Sequence, residues 1–208
     1  MIGLLVRNVL WMAGAYLLGS TPTSYAVARV FRGVDLREYG SRNLGATNLY
    51  RLMGLGAAVP VALYDVLKGT LPVVLAMRLH PQPPWFMLLV GLCAVLGHVF
   101  SPFVGFRGGK GVATAAGVFL ALAPFCLLVA IVVWALVVKV TGYVSLGSIV
   151  AAAAFAFSVP LLYPGAWTTF AVALVTLAFI IFTHRANVRR LLAGTENRFG
   201  GRAAEAAE

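Results

Sequence analysis

Residues 105–114, GFRGGKGVAT, have the composition of a phosphate-binding loop. The groups that can contact an anion are three glycines, two cations and a hydroxyl: Gly108, Gly109, Gly111, Arg107, Lys110 and Thr114. Glycine permits positive φ and close approach to a ligand, and a helix beginning here offers unpaired N–H groups and a favourable dipole. Thr114 can donate to a phosphate or bond its own backbone. The segment predicts an anion site, with a flexible interhelical turn as the alternative.

The expected anion is not a nucleotide. If Lys110 were the lysine of a P-loop, that motif would require glycine at Val104 and serine or threonine at Gly111. The pattern fails at both positions, so another phosphate-bearing ligand is expected.

A second polar cluster, YGSRNLGATNLYR, occupies residues 39–51. Its donors are two hydroxyls, two amides and a guanidinium: Ser41, Thr47, Asn43, Asn48 and Arg51. The ordinary alternative is a solvated loop with a helix N-cap. The density of donors, with no acidic residue in the cluster, favours a ligand-binding role.

Two further clusters lie in the second half of the chain. Ser145, in YVSLGS, either binds substrate or serves as a helix cap or close-packing residue. In HRANVRRLLAGTEN, residues 184–197, His184 and Asn187 share one helix face and can point at one ligand. The arginines of this segment can instead anchor the helix to anionic headgroups.

Three ionisable residues interrupt apolar runs. Asp65 and Lys68 are three positions apart, and each alone would cost roughly 2.5–3.5 kcal/mol at the bilayer centre, so an ion pair is expected. Alternatively, Asp65 orients a cation of a loop. His98 either hydrogen-bonds across helices or lies near the site. A structural role is favoured for the pair and for His98.

The elements that must position these residues are membrane helices. The chain of 208 residues is 61% hydrophobic and 11% charged, whereas soluble domains carry about 25% charged residues. Candidate spans are residues 3–28, 53–78, 85–103, 111–122, 124–140, 144–162 and 166–183. Residues 1–208 are expected to form one domain with a frayed tail at 199–208.

The distribution of arginine and lysine predicts the topology. Basic residues cluster at 29–51, at 107–110 and in the tail, whereas the breaks at 80–84 and 163–165 contain none. The positive-inside rule places the basic stretches in the cytoplasm. An even number of crossings must then separate Lys110 from the tail, so residues 111–140 are expected to break at Pro124. The prediction is an all-α polytopic bundle of about seven helices, some short or broken, with its N-terminus outside and C-terminus inside.

Other classes are less consistent with the sequence. The apolar N-terminus ends in a motif like a signal-peptide cleavage site, but Arg7 is its sole early cation, so a first transmembrane helix is expected. The net charge of +10 is divided among short loops, which favours lipid headgroups or phosphates over nucleic acid. Cys93 and Cys126 lie in apolar runs and predict neither a disulfide nor a metal site. No metal or other cofactor is expected.

Three motifs in order resemble the bacterial membrane-bound acyl-phosphate:glycerol-3-phosphate acyltransferase family, the PlsY family. They are GSRNLGATN with Arg51 following, GHVFSPFVGFRGGKGVAT, and HRANVRRLLAGTEN, and the likeness extends over nearly the whole chain. Two departures are small: Arg42 stands where the first motif often has glycine, and Ala186 where an acidic residue is common.

The resemblance implies an enzyme of the bacterial cytoplasmic (inner) membrane that catalyses the first step of phospholipid synthesis at its cytoplasmic side. It transfers a fatty acyl group from acyl-phosphate to glycerol 3-phosphate, giving lysophosphatidic acid and phosphate. By the resemblance, residues 108–114 hold acyl-phosphate, while His184 and Ser41 lie near the reacting carbonyl. The residues implied to engage glycerol 3-phosphate are Arg51, Lys110, Ser145 and Asn187.

The mechanism is open between direct attack by the glycerol hydroxyl and a covalent acyl-Ser41 intermediate. No GxSxG elbow exists, because Tyr143 stands where Ser145 would need a preceding glycine. An activated donor requires positioning and charge stabilisation more than a strong nucleophile, which favours direct attack. A transporter or channel for a phosphate-bearing solute is the alternative function, although no second, related half of the chain is apparent.

Overall fold

The computed structural model describes residues 1–200, and regular structure in this range is helical. The helices are α1 (Ile2–Gly19), α2 (Thr23–Arg32), α3 (Ala46–Met53), α4 (Leu55–Leu79), α5 (Pro84–Val99), α6 (Val112–Leu122), α7 (Pro124–Thr141), α8 (Val144–Leu162), α9 (Trp167–Thr183) and α10 (Arg185–Leu192). A short 3-10 helix, Pro102–Val104, follows α5. The predicted all-α class is confirmed, while most of the predicted frayed tail lies outside the described residues.

The chain divides into two compact units, the first formed by Met1–Ala121 and the second beginning at Leu122. In the first unit, helices approach one another at glycines. A Cβ on Gly97 would lie 2.1 Å from the carbonyl oxygen of Tyr16, and one on Gly117 would lie 1.9 Å from that of Val66. Small residues permit such close packing of α1 on α5 and of α4 on α6, as is usual where lipid removes the hydrophobic drive between helices.

The predicted span 3–28 lies within a candidate membrane span at Ile2–Arg32, but two helices occupy it where one was expected. α1 ends at Gly19 and α2 begins at Thr23, with Pro22 at its N-cap. The carbonyl oxygens freed at this break are satisfied from elsewhere: Lys68 Nζ donates to Thr21 at 3.0 Å, and Ser101 Oγ donates to Ser20 at 2.5 Å. Irregular backbone at membrane depth is tolerated where protein groups satisfy it in this way.

The second unit contains α7, α8, α9 and α10. The predicted break at Pro124 is confirmed, since α6 ends at Leu122 and Pro124 is the first residue of α7, where its missing N–H costs no helical bond. Gly142 takes the left-handed conformation and ends α7, which allows α8 to return alongside it. α9 and α10 are bent by 62° where they meet at His184.

Five helical segments of the described chain are long and apolar enough to cross a membrane, with α1 and α2 counted together. The number is six if α9 and α10 form one bent span, and α6 is a shorter apolar helix. The protein is therefore an all-helical, multi-pass membrane protein with five to six candidate spans.

Candidate active site

Asn48 organises the first polar cluster. Its Oδ1 accepts a hydrogen bond from the backbone N–H of Ser41 at 2.9 Å, and its Nδ2 donates to the carbonyl oxygens of Leu36 and Tyr39 at 3.2 and 3.0 Å. Residues from Ala46 onward belong to α3, which places Asn48 in the first turn of this helix. The amide is buried, and both of its polar atoms are used to hold the backbone around Ser41.

An apolar core packs against the segment that contains Ser41 and Asn48. Its buried residues come from α2, the following loop, α3, α4 and the 3-10 helix: Ala28, Leu36, Leu44, Leu49, Val61 and Val104. The polar residues Ser41, Asn43, Thr47 and Arg51 stay partly exposed. The core therefore fixes the loop while leaving its donors accessible.

The glycine loop is held on the end of α5. The N–H of Gly108 donates to the carbonyl oxygen of Val99 at 2.9 Å, and the N–H of Gly109 donates to that of His98 at 3.1 Å. A Cβ on Gly108 would lie 2.0 Å from the His98 carbonyl oxygen, so no larger residue fits without movement. These two glycines allow close approach to α5, whereas the sequence suggested approach to a ligand.

Gly111 ends the loop in the left-handed region, with φ of 82°, and α6 begins at the next residue. The N–H groups of the first turn of α6 lack intrahelical partners, which makes this end of the helix favourable for an anion. Arg107 is exposed and Lys110 partly exposed beside it. Thr114 is fully buried, and its Oγ1 finds no hydrogen-bond partner among the described residues. The expected alternative bond to its own backbone is not made.

The first two polar clusters meet within the first unit. A Cβ on Gly109 would lie 2.9 Å from the carbonyl oxygen of Leu44, so the loop carrying Ser41 abuts the glycine loop. The predicted ion pair behind them is confirmed, with Lys68 Nζ 2.7 Å from Asp65 Oδ1. Two segments suited to phosphate binding are thus neighbours in space although about sixty residues separate them in sequence.

Glu196 organises the polar cluster of the second unit. Ser145 Oγ donates to Glu196 Oε1 at 2.8 Å, Asn187 Nδ2 donates to the same oxygen at 2.5 Å, and Arg190 Nε donates to Oε2 at 2.7 Å. Burial alone would raise the pKa of this carboxyl. The hydrogen bonds from Asn187, Ser145 and Arg190 outweigh burial and hold the pKa below its ordinary value.

The sequence prediction missed Glu196, although a signal was present. It is the only acidic residue between positions 66 and 204, and it lies in an otherwise basic segment. An isolated carboxylate among arginines predicts hydrogen bonds from nearby cationic donors, and in the structure Glu196 is buried.

The same hub brings together Ser145 and Asn187, which come from α8 and α10. His184 lies one turn before Asn187 and is also buried. Its Nδ1 is 2.8 Å from the carbonyl oxygen of Ile180, which can only accept, so Nδ1 carries the proton of the bond. In the neutral ring, Nε2 is then the basic nitrogen. Ala186 is exposed, as expected for a residue off the His184–Asn187 face.

Comparison with known proteins identifies the family. The family described as "Glycerol-3-phosphate acyltransferase" matches residues 9–194. A glycerol-3-phosphate acyltransferase of Trichlorobacter lovleyi is 46% identical over 196 residues, covering 94% of this chain and 99% of the relative. Glycerol-3-phosphate acyltransferase 2 of Bacillus anthracis is 44% identical over 195 residues, covering 92% of this chain and 98% of the relative.

A solved structure agrees over the same extent. The crystal structure of PlsY, an integral membrane glycerol 3-phosphate acyltransferase, in its glycerol 3-phosphate form is 40% identical in sequence and has a TM-score of 0.87. The match covers 93% of this chain and 96% of that chain, and the lysophosphatidic acid form of the same protein matches with a TM-score of 0.85. The chain therefore belongs to the glycerol-3-phosphate acyltransferase family and is an integral membrane enzyme that acylates glycerol 3-phosphate to lysophosphatidic acid.

Proposed function

We propose that the acyl donor of this enzyme is an acyl-phosphate, bound by the glycine loop. The observation that carries the proposal is the contact between Gly109 and Leu44, which makes the glycine loop and the Ser41 loop neighbours at the start of α6. A reaction between two phosphate-bearing substrates requires donors and cations from more than one segment to offset the repulsion of two anions. The first unit brings two such segments together.

The glycine loop is assigned to the donor phosphate. The start of α6 offers N–H groups and a dipole, while Arg107 and Lys110 offer charge. Gly108 and Gly109 hold the loop close to the end of α5, and Gly111 supplies the left-handed turn into α6. Thr114 has an unused, buried hydroxyl in the first turn of α6, which is consistent with a role toward the same phosphate.

The acceptor is glycerol 3-phosphate. Its assigned ligands are partly exposed hydrogen-bond donors of the first unit and donors of the second unit that Glu196 holds in place. In the first unit they are Asn43, Thr47 and Arg51, with Asn48 acting through the backbone of Ser41. In the second unit they are Ser145 and Asn187, oriented by Glu196. Lys110 contributes to the acceptor as well, because its charge serves both phosphates. The residues assigned to the reacting groups are Ser41, Lys110, His184 and Asn187.

The reaction step is direct transfer. The 1-hydroxyl oxygen of glycerol 3-phosphate attacks the acyl carbonyl carbon, the new ester C–O bond forms, and the bond from that carbon to the phosphate oxygen breaks. The hydroxyl proton goes to His184 Nε2 or to an oxygen of the leaving phosphate. The bond from His184 Nδ1 to Ile180 supports the first route, since it leaves Nε2 as the basic nitrogen.

The proposed topology keeps seven crossings, the N-terminus outside and the polar clusters at the cytoplasmic face of a bacterial inner membrane. Its support is the concentration of arginine in residues 29–51 and in the tail, together with the break that separates α6 from α7. Gln82→Cys and Arg107→Cys, each made in a variant that lacks Cys93 and Cys126, test it by reaction with a membrane-impermeant thiol reagent. Labelling from opposite sides of sealed vesicles is expected.

Lys110→Ala tests the donor site. Loss of a cation aimed at transition-state charge is expected to lower kcat/KM by about a hundredfold or more, with unchanged thermal unfolding. Phosphate release from acyl-phosphate plus glycerol 3-phosphate is the measurement, and omission of either substrate is the blank. Lys139→Ala, which removes an exposed lysine of α7, is the matched control. Turnover of Lys110→Ala equal to that of the control would contradict the assignment.

The direct transfer is tested separately from the site. Purified enzyme is mixed with acyl-labelled acyl-phosphate without the acceptor, quenched in acid and analysed for label on protein. No stoichiometric label is expected. Label that is lost in Ser41→Ala would establish the acyl-Ser41 route instead.

A further inference from the structure

Three ionisable side chains are buried together in the first unit. Asp65 and Lys68 lie on α4, and His98 lies near the end of α5, with exposures of 3%, 1% and 9%. Ionisable groups within a membrane domain are costly and commonly mark functional positions. The ion pair accounts for Asp65 and Lys68 mutually, but it gives no reason for the imidazole beside them.

One oxygen of the Asp65 carboxylate faces both Lys68 and His98. Lys68 Nζ lies 2.7 Å from Asp65 Oδ1 and donates a hydrogen bond to the carbonyl oxygen of Thr21. His98 Nδ1 lies 3.8 Å from Asp65 Oδ1. One edge of the imidazole therefore lies beside the carboxylate oxygen that forms the ion pair with Lys68.

The opposite edge of the imidazole contacts the glycine loop. A Cβ on Gly109 would lie 2.0 Å from His98 Nε2, so the ring occupies the space that any side chain at position 109 would need. The carbonyl oxygen of His98 also accepts the N–H of Gly109. His98 thus contacts the loop through both its backbone and its ring.

We propose that His98 is a positioning residue for the glycine loop. Asp65, held by Lys68, lies beside the Nδ1 edge of the ring, and the Nε2 edge sets the position of Gly109. Lys110 follows Gly109 directly and α6 begins two residues later, so a shift of Gly109 moves both the cation and the helix end. The inference rests on the proposed function of this loop as the acyl-phosphate site.

A pair of substitutions separates the two edges of the ring. In His98→Gln the amide reaches the position of Nε2, and in His98→Asn it reaches only that of Nδ1. We expect His98→Gln to stay within about threefold of the parent enzyme. We expect His98→Asn to raise the KM for acyl-phosphate by roughly tenfold or more, because a misplacement on the order of 1 Å can cost about a hundredfold in a reaction step. Its KM for glycerol 3-phosphate is expected to change less than twofold.

The outcomes distinguish this inference from the function on which it rests. Retained activity in His98→Asn with loss in His98→Gln would overturn it, as would equal losses of activity and of thermal stability in both variants. If His98→Asn raises the KM for glycerol 3-phosphate alone, His98 still positions the loop, but the loop is not the acyl-phosphate site.

A double-mutant cycle tests the contact itself. Gly109→Ala places its methyl against Nε2, so its loss of activity is expected to be smaller in the His98→Asn background than in the parent. The loss does not vanish, because the Leu44 carbonyl oxygen remains 2.9 Å from the new methyl. Additive losses of the two substitutions would show that the ring does not constrain Gly109.

Discussion

The two polar regions of this protein are held in place by different means. In the first unit, the glycine loop is fixed by backbone hydrogen bonds from Gly108 and Gly109 to the end of α5, at separations that exclude a side chain. In the second unit, Ser145, Asn187 and Arg190 are fixed by one buried carboxylate, Glu196. The glycine loop keeps its position because Gly108 and Gly109 have no side chain, whereas the second region keeps its position because Glu196 carries a negative charge.

This difference determines which changes each region tolerates. A glycine position fails when volume is added, whatever the charge, because packed backbone yields little. A carboxylate hub fails when its charge is removed at constant volume, because each donor keeps its desolvation cost and loses its acceptor. Matched substitutions of each kind can therefore break the comparison or sharpen it.

The largest effect is expected from Gly108→Ala. The added methyl would lie 2.0 Å from the His98 carbonyl oxygen and 2.9 Å from that of Val99, so the loop must lift from α5. Activity is expected to fall by about a hundredfold or more. Initial rates and thermal unfolding of the detergent-solubilised enzyme are the measurements.

Gly56→Ala is the matched control for that substitution. Gly56 is also a glycine of the first unit, in α4, and a Cβ there meets nothing within 4 Å. Alanine in a helix is favoured over glycine by about 1 kcal/mol, so this variant should be active and no less stable. Equal activity of the two variants would show that the glycine loop tolerates volume.

A smaller effect is expected from Glu196→Gln. The substituted amide keeps an oxygen for Ser145 and Asn187 but turns a donor toward Arg190 Nε, and it removes the negative charge. Hydrogen bonds to charged groups contribute about 1.5–3 kcal/mol, so the free energy of unfolding should fall by about 2 kcal/mol. Activity should fall by about tenfold, because the clash with Arg190 Nε shifts the amide oxygen that orients Ser145 and Asn187. Glu38→Gln, at an exposed carboxylate, is the control.

The stability that Glu196 contributes depends on pH in a direction set by its lowered pKa. The folded state lowers the pKa of Glu196, so its contribution is complete above the ordinary glutamate pKa of about 4.3 and is lost as the pH falls through the lower, folded value. The difference in melting temperature between parent and Glu196→Gln should therefore be full at pH 7 and shrink in acid. A difference that grows in acid would contradict the role of the charge.

The sequence predicted the helix ends well where a helix-breaking residue stands at the boundary itself. Pro124 and Gly142 separate α6, α7 and α8 within a few residues of the predicted bounds, because proline and glycine act on the backbone where they stand. The break before α2 was missed although Pro22 is a local signal for it, and the groups that stabilise it, Lys68 and Ser101, are distant in sequence. Local pattern alone does not reveal such partners.

The sequence named candidate site residues, but it did not reveal the contacts that hold them in place. The motifs identified Ser41, Lys110 and His184 as candidates, but a motif does not say whether a glycine approaches a ligand or a neighbouring helix. Glu196 was overlooked because a carboxylate is an unexpected element of a site for anions. Its role follows from the donors that surround it in the fold.

The smallest effect is expected from Arg42→Gly, in the loop that carries Ser41. Arg42 is exposed and has φ of 57°, in the region that costs a residue with a Cβ roughly 1–2 kcal/mol. Glycine relieves that strain but loses about 0.5–1 kcal/mol to chain entropy, so the free energy of unfolding should rise by no more than about 1.5 kcal/mol, with activity unchanged. Arg42→Ala removes the charge and keeps the strain. If Arg42→Gly and Arg42→Ala lose activity alike, the guanidinium serves the substrates, and this loop is governed by charge as the second unit is.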